Sequence, residues 1–435
     1  MWSRRSQFDR GHTMLDQLEN ASLLEGSRDD ENYRYVKMHD LIWDMARKIL
    51  NESLGGRVQA GAQLTELPDG TWWRENLLIV SLMENRIKDI PSDFSPRYRE
   101  VARFYLSSNE AHCIVARMRE WKRLKDLRYL NLDGSGVRVL RPGILPELSK
   151  LQFLKLHQKF GVFLPVEGHE VLRLQRLETL ECNFRDLENF GIFDRAGVLP
   201  LIACKVTVGR PSFSLLEDLN YTKSKSESEA WFYDLMNDTA SFLSGISFRK
   251  VVIVNCQNII SLCPLVRHGS LEILHLDGLM ILETLFEAPS DRLTFDPFYY
   301  LKEIVIHKCH RMKALLPPWL LSTLLHLEVI VVEDCHNMEV IIETDEQERI
   351  EGMGLKVLVL KKLPYLNSIY SGRLECNSLE EITVNDCPQL TRIPLTIPHS
   401  LKKIQVDPES LRNSIEWAII SEEPVSNPQE DALHS

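Results

Sequence analysis

The sequence lacks several features that would place it in a common functional class. It contains no Gly-Lys dipeptide, and so no glycine-rich phosphate-binding loop that ends in lysine. Its most apolar window, residues 314–327, is too short to cross a bilayer and is interrupted by Pro317 and Pro318. Residues 1–5 are polar and offer no apolar signal-peptide core. These absences predict a protein without a membrane span or a secretory leader.

The cysteine count and the net charge indicate the cellular setting of the protein and the kind of partner it binds. The chain has 9 Cys, an odd number with no close-set framework, which favours a reducing, cytoplasmic setting. It has 51 Lys and Arg against 62 Asp and Glu, so its net charge is -11. The summed field repels phosphate backbones, and we therefore expect protein partners and no nucleic acid.

A leucine repeat covers most of the chain. The frame L-x-x-L-x-L-x-x-(N/C) begins at six positions in a first block and at seven in a second. In the first block the starts are 24 or 26 residues apart. The starts are Leu77, Val101, Leu127, Leu151, Leu177, Leu201, Phe248, Leu271, Leu301, Leu327, Leu355, Leu379 and Leu401. This period is typical of leucine-rich repeats, in which stacked parallel strands bury what one repeat cannot bury alone.

The predicted fold class is α/β: a leucine-rich-repeat solenoid, a horseshoe with parallel β-strands on its concave face, after a remnant α-rich winged-helix segment. We assign residues 1–58 to the winged-helix segment, 59–208 to the first block of repeats and 209–247 to a polar insertion. Residues 248–411 form the second block and 412–435 the tail. Within the insertion, the bulky residues of 230–236 have helical spacing and predict a short helix packed on the solenoid.

In the second block the Asn of the frame becomes Cys. We expect Cys309 and Cys335 to fill this buried position as small residues with weak donors. Their replacement by Ser is expected to destabilise the fold. Cys376 lies between two repeat frames, so Cys376→Ser is expected to have little effect.

The N-terminal segment reads as helix, hairpin, helix. Helices are predicted over 11–20 and from Asp40 to about Leu50, and strands over 23–24 and 33–38. The second helix is expected to bury an apolar face. That face consists of Leu41, Ile42, Met45, Ala46, Ile49 and Leu50.

Met38-His39-Asp40, with Asp44-Met45-Ala46 after it, resembles the end of the nucleotide-binding region of plant intracellular nucleotide-binding leucine-rich-repeat disease resistance proteins, closest to their coiled-coil class. Residues 11–20 are similar as well, and in that family the repeats follow this segment directly. The resemblance implies the recognition and autoinhibition module of an immune receptor. Its implied partners are a pathogen effector, a guarded host protein or the family's nucleotide-binding domain.

The resemblance also implies that His39 contacts bound ADP and that complete members bind ADP or ATP. Because this chain lacks the phosphate-binding loop and the nucleotide-binding core, we expect no cofactor for the chain itself. His39 then reads as a residue at a strand-to-helix junction without a ligand. A chain that resembles only the C-terminal part of such a receptor is expected to be either a truncated gene product or an incomplete gene model.

The sequence also contains residues typical of two other kinds of site, and it leaves two other functions open. Zinc is suggested by His307, Cys309, His310, Cys335 and His336. The cysteines are expected to point inward and their neighbouring histidines elsewhere, which predicts neither a metal site nor Cys-His catalysis, and we expect no enzyme. A stand-alone repeat adaptor remains an alternative. A DNA-binding winged-helix regulator is a weaker one, since residues 1–50 carry eight basic and nine acidic side chains.

The partner surface is predicted on the concave face, where residues between the framework leucines point outward. In the second block these positions gather valines with charged neighbours, as a protein contact would require. The predicted contact residues are Val252, Val254, Val305, Val329, Val331, Val357, Val359, His307, Glu333 and Lys361. Strand propensity alone is the other explanation of these valines. The next surface to consider is Tyr105, Tyr129, Phe153, Lys155 and His157.

Overall fold

The computed structural model gives the fold over most of the chain. It describes residues 4–28, 34–53, 55–73, 77–87, 101–107, 124–135, 137, 140–156, 164–196, 199, 201–209, 226–235, 248–262, 270–286, 298–321, 324–343, 349–350, 354–370, 372–391, 393, 395–397, 401–413 and 416–417. Two units divide the chain, the first ending at Tyr233 and the second beginning at Asp234. None of the described helices is long and apolar enough to cross a membrane.

The first unit begins with a helix, a hairpin and a second helix. Helix α1 spans Arg4–Asn20, strands β1 and β2 span Glu25–Arg28 and Arg34–Lys37, and α2 spans Asp40–Ser53. The two strands pair antiparallel. This order confirms the predicted sequence of elements, except that the first strand begins after Leu23 and Leu24. A winged-helix domain as such remains a prediction.

The apolar face predicted for α2 is not buried. Leu41 is 69% exposed, Met45 60% and Ile49 53%. Ile42, Ala46 and Leu50 are only partly buried. The amphipathic pattern shows which face a helix can bury, but burial also requires a second element packed against it.

In the described part of the first unit, a series of parallel strands follows these elements. They are β3 (Gly56–Val58), β4 (Ile79–Ser81), β5 (Arg103–Tyr105), β6 (Tyr129–Asn131), β7 (Phe153–Lys155), β8 (Pro165–Val166), β9 (Thr179–Phe184), β10 (Ala203–Val208) and β11 (Ser228–Tyr233). They pair in chain order in one parallel sheet, with β8 beside β9. Two helices, α3 (Gly168–Val171) and α4 (Leu187–Ala196), lie between strands.

The second unit has a main parallel sheet and three smaller ones. The main sheet contains β12 (Lys250–Val254), β14 (Ile273–Asp277), β16 (Glu303–His307), β18 (Val329–Glu333), β21 (Val357–Lys361), β24 (Glu381–Asn385) and β26 (Lys403–Val406). The smaller sheets contain β13 (Ser261–Leu262), β15 (Thr284–Phe286), β17 (Ala314–Leu316), β19 (Val340–Ile342), β20 (Arg349–Ile350), β22 (Ser368–Tyr370), β23 (Arg373–Glu375), β25 (Leu395–Ile397) and β27 (Glu416–Trp417). Helices α5 (Pro318–Leu321) and α6 (Glu409–Arg412) are short.

Every predicted repeat start is followed two residues later by a strand, which confirms the repeat frame. The regularity follows from the alternation of inward and outward side chains along each strand. Leu127, Leu130 and Leu132 are fully buried, and so are the equivalent leucines of the next repeat. Burying one such Leu side chain contributes about 1.5–3 kcal/mol, so each repeat depends on its neighbours for a closed core. Asn85 fills the predicted ladder position, where its amide donates to the backbone oxygens of Gln59 and Leu82.

Six of the seven main strands of the second unit, all except β26, end in a sharp corner. The residue after the strand has positive φ in repeat after repeat: 53° at Asn255, 67° at Gly278, 52° at Lys308 and 57° at Asp334. A left-handed residue turns the chain out of the sheet at the same point of each of these six repeats. Only one of these four is glycine, so the repeat imposes the conformation on residues that disfavour it.

Two strands lie where the sequence predicted other structure. Residues 228–233 form β11, parallel to β10, so the helix predicted over 230–236 is wrong. The polar run before this strand contains no leucine frame, so the sequence gives no sign of a repeat there. Ala230 and Phe232 are both buried, but a segment this short can also be interpreted as one face of a helix. Strand β3 pairs with β4, so the parallel array takes in residues 56–58, which were assigned to the N-terminal segment.

Candidate functional surface

His39 lies at the start of α2, and its side chain is exposed. Its Nδ1 atom accepts a hydrogen bond from the backbone N–H of Leu41 at 3.3 Å. This contact places the imidazole at the N-cap, where it satisfies one of the free N–H groups at the helix start. The structure therefore gives His39 a capping contact, while its role toward ADP stays a prediction.

The predicted contact valines of the second unit are mostly not at the surface. The expectation of exposure is wrong for six of the ten residues, which are buried: Val252, Val254, Val305, Val331, His307 and Glu333. The other four are partly exposed: Val329, Val357, Val359 and Lys361. Alternation along a strand tells which face a side chain takes, but not whether that face meets solvent. Partner binding by these residues stays a prediction.

Two pairs, each of a histidine and a carboxylate side chain, accompany the buried valines. His275 Nε2 lies 2.6 Å from Glu303 Oε1, and both side chains are buried. Further along the same two strands, His307 Nδ1 lies 3.1 Å from Oδ1 of Asp277, the residue directly opposite it. Buried polar side chains are tolerated when they are hydrogen-bonded, because the partner replaces the hydration lost on burial. Neither pair was predicted from the sequence, although the members of each pair lie on adjacent strands.

The second predicted surface, in the first unit, is accessible. Tyr105, Tyr129 and Phe153 are each partly exposed and lie on three neighbouring strands, with Phe153 directly opposite Tyr129 and Tyr105 diagonal to it. Their ring centroids are 4.6 Å apart between the two tyrosines and 4.0 Å apart between Tyr129 and Phe153. Partial burial raises the pKa of Tyr129 to about 12. We call these three residues the aromatic strip; His157 lies outside the described residues.

An ion-paired row lies beside the aromatic strip. Lys155 Nζ lies 2.8 Å from Glu181 Oε2 and 3.4 Å from Asp133 Oδ2. Burial alone would lower the pKa of Lys155, but these two carboxylates outweigh it and raise the pKa. Further along the same register, Lys205 Nζ lies 3.5 Å from Glu229 Oε2. The row alternates in sign, so it forms no continuous basic track for a phosphate backbone.

The cysteines of the second unit form the predicted ladder. The Sγ atoms of Cys309 and Cys335 each lie 3.5 Å from the carbonyl oxygen two residues earlier, and both are buried. Burial raises the pKa of Cys309 to about 12 and that of Cys335 well above its usual value. Such thiols stay protonated and are poor nucleophiles and metal ligands. Cys376 is also fully buried, so the reason given for expecting little effect at this position is wrong.

Comparison with known proteins agrees with the repeat geometry. Residues 272–406 match the family described as plant disease resistance protein RPS2-like, leucine-rich repeats. A probable disease resistance protein of Arabidopsis thaliana, At1g12290, is 26% identical over 436 residues, which cover 95% of this chain and 48% of that protein. The chain is similar to plant disease resistance proteins over most of its length. Disease resistance protein UNI of the same plant is 26% identical over 94% of this chain and 47% of its own length.

The relatives differ from this chain in length. Disease resistance protein RPS5 of Arabidopsis thaliana is 24% identical over 90% of this chain and 45% of its own length. The chain thus spans about half the length of these curated relatives, and it fits the C-terminal, repeat-bearing part of nucleotide-binding leucine-rich-repeat proteins. Among solved structures, a leucine-rich-repeat protein of Leptospira interrogans matches with a TM-score of 0.41 and 16% identity over 82% of each chain.

Proposed function

We propose that the chain is the partner-recognition part of a plant immune receptor and that it acts in the cytoplasm. Similarity to disease resistance proteins over most of the chain supports the class of receptor. The accessible aromatic strip supports recognition of a protein. Half-exposed aromatic side chains carry much of the binding energy of protein interfaces, and here they lie beside a row of alternating charge.

The aromatic strip is the preferred contact surface because its side chains are partly exposed to solvent, whereas most of the contact residues predicted in the second unit are buried. Its stack is held by the sheet register, so little side-chain freedom is lost on binding. The row that contains Lys155 and Glu181 presents charges of alternating sign. A partner with the complementary pattern of charges would be oriented by this row. We therefore assign the contact to Tyr105, Tyr129 and Phe153 rather than to the valines.

A chimeric receptor tests this assignment. The chain replaces the corresponding repeat part of disease resistance protein UNI, and the cell-death response is measured in leaf tissue. Tyr129→Ala with Phe153→Ala is expected to change the response while circular dichroism shows an unchanged fold. Tyr365→Ala, an exposed tyrosine of the second unit, is the control. If the double variant responds as the parent chimera does, the contact lies elsewhere and the stand-alone adaptor reading gains ground.

Autoinhibition is the second part of the proposal, and the exposed face of α2 supports it. Leu41, Met45 and Ile49 lie on one side of the helix and are all exposed. The curated relatives carry about as much additional sequence again, and a domain there would have an apolar face to pack against. In the chimera, Leu41→Glu with Met45→Glu is expected to raise signalling in the absence of a trigger. In the chain alone the same change should leave the melting temperature unchanged.

We also propose that the chain by itself binds no nucleotide and catalyses no reaction. The absence of a Gly-Lys dipeptide and the capping contact of His39 support the first statement. The raised pKa values of the ladder cysteines support the second. Calorimetry with Mg-ADP and Mg-ATP is the test. Micromolar binding that His39→Ala abolishes would contradict the proposal.

A further inference from the structure

Two consecutive corners of the second unit bring three metal-binding side chains together. His310 follows β16, and Asp334 and His336 follow β18, the neighbouring strand of the sheet. One ligand atom from each of the three lies within 4.8 Å of the other two. The two imidazoles stack, with ring centroids 4.3 Å apart and planes 14° apart. His336 Nε2 lies 3.3 Å from Asp334 Oδ1.

We propose that His310, Asp334 and His336 bind a divalent transition-metal ion, with Zn²⁺ as the best match. Two neutral imidazoles and one carboxylate are a ligand set that Zn²⁺ accepts, and water completes the coordination. This set differs from the one considered from sequence, because it uses a carboxylate in place of the thiols. Cys309 and Cys335 stay buried in the ladder, where their Sγ atoms meet backbone carbonyls.

The state of His310 suits a metal ligand. Its Nδ1 atom is buried and has no hydrogen-bond partner, and leaving a buried polar atom unpaired is unfavourable. Coordination of an ion at this nitrogen would satisfy it.

The scaffold needs only small side-chain movements to close the site. Tetrahedral ligands at about 2.0–2.1 Å from Zn²⁺ lie roughly 3.3 Å from one another, which is less than the present spread. The imidazole of His336 has room to rotate because its side chain is 56% exposed. The backbone is already fixed: Asp334 has φ of 57°, and the N–H of Lys308 donates to the carbonyl oxygen of Glu333 at 3.1 Å. A bound ion would therefore join two adjacent repeats.

Titration of the purified full chain with Zn²⁺ tests the proposal, with Co²⁺ absorption as a spectroscopic probe of coordination. We expect one ion at this site and a binding constant that falls at least tenfold in His336→Ala and in Asp334→Asn. His169→Ala, an exposed histidine in α3 of the first unit, is the matched control and should bind as the parent does. The His336 side chain is exposed and that of Asp334 is partly exposed. In the absence of metal, both variants should therefore keep the parent's melting temperature.

Stability provides the second measurement. An ion that binds only the folded state raises the melting temperature, and the stabilisation grows with the logarithm of the ion concentration once that concentration exceeds the dissociation constant. Saturating Zn²⁺ is expected to raise the melting temperature of the parent and of His169→Ala, and to raise that of His336→Ala much less. Equal affinity for Zn²⁺ in the parent and in His336→Ala, or no Zn²⁺ binding by the parent, would overturn the assignment.

Discussion

Gly278→Ala is expected to destabilise the second unit through a single corner of the repeat. Gly278 has φ of 67°, and a Cβ atom at this position would lie 2.1 Å from Oδ1 of Asn255, the corner residue of the previous rung. The left-handed conformation costs an alanine about 1–2 kcal/mol, which is offset by roughly 0.4–1 kcal/mol from the restricted unfolded chain. Moving the Asn255 side chain off its rotamer adds about 0.5–1.5 kcal/mol. The net loss is on the order of 1–2 kcal/mol.

Equilibrium urea unfolding followed by circular dichroism measures this loss, and a double-mutant cycle separates its two causes. In an Asn255→Ala background the clash is gone, so Gly278→Ala should cost less there than in the parent. Gly61→Ala is a second control, because Gly61 has φ of 65° and no atom within 4 Å of the added Cβ. If Gly278→Ala costs no more than Gly61→Ala, and the cost is the same in both backgrounds, the corner argument is refuted.

Two further changes test burial, one at Cys376, where the sequence predicted little effect, and one at Asp194, which the sequence did not single out. Cys376→Ser is expected to lower the free energy of unfolding by about 1–3 kcal/mol, similar to Cys335→Ser, because both thiols are fully buried; denaturant midpoints that move only for Cys335→Ser would contradict this. Burial raises the pKa of Asp194 to about 6 despite the adjacent Arg195. Since the folded pKa lies above the unfolded value, stability should fall as the pH rises from about 4 through 6. Asp194→Asn should remove that slope and stabilise the chain at pH 7; an unchanged pH profile would contradict the reasoning.

The strands of the repeat could be predicted because their signal is local and recurs. Each L-x-L alternation places two apolar residues on one side of a strand, and the recurrence of the frame excludes a chance match. Strand β11 was missed for the same reason: residues 228–233 carry Ala230 and Phe232 in the inward positions but have no leucine frame. The ladder position was identified from sequence at Asn85 and Cys335, because a fixed place in the frame has a fixed environment.

The surfaces were predicted less well, since exposure is not a local property. Val331 and Tyr129 occupy outward positions of equivalent strands, yet the first is buried and the second is partly exposed. The apolar stripe of α2 marks a face able to pack, and Leu41 shows that this face is not covered. No spacing rule distinguishes these cases, because the segments that cover a face, or leave it open, are distant in sequence.

The sequence by itself determined the parallel repeat, the inward leucines, the Asn and Cys ladder and the relationship to plant disease resistance proteins, because each depends on residue type at a fixed spacing. Tertiary structure alone decided which outward residues meet solvent, which charges are paired and which side chains of neighbouring corners converge. His310 and His336 are 26 residues apart in the chain, yet their rings stack because adjacent strands bring equivalent positions side by side. The physical reason is that alternation fixes the direction of a side chain, whereas its environment depends on the packing of the whole unit.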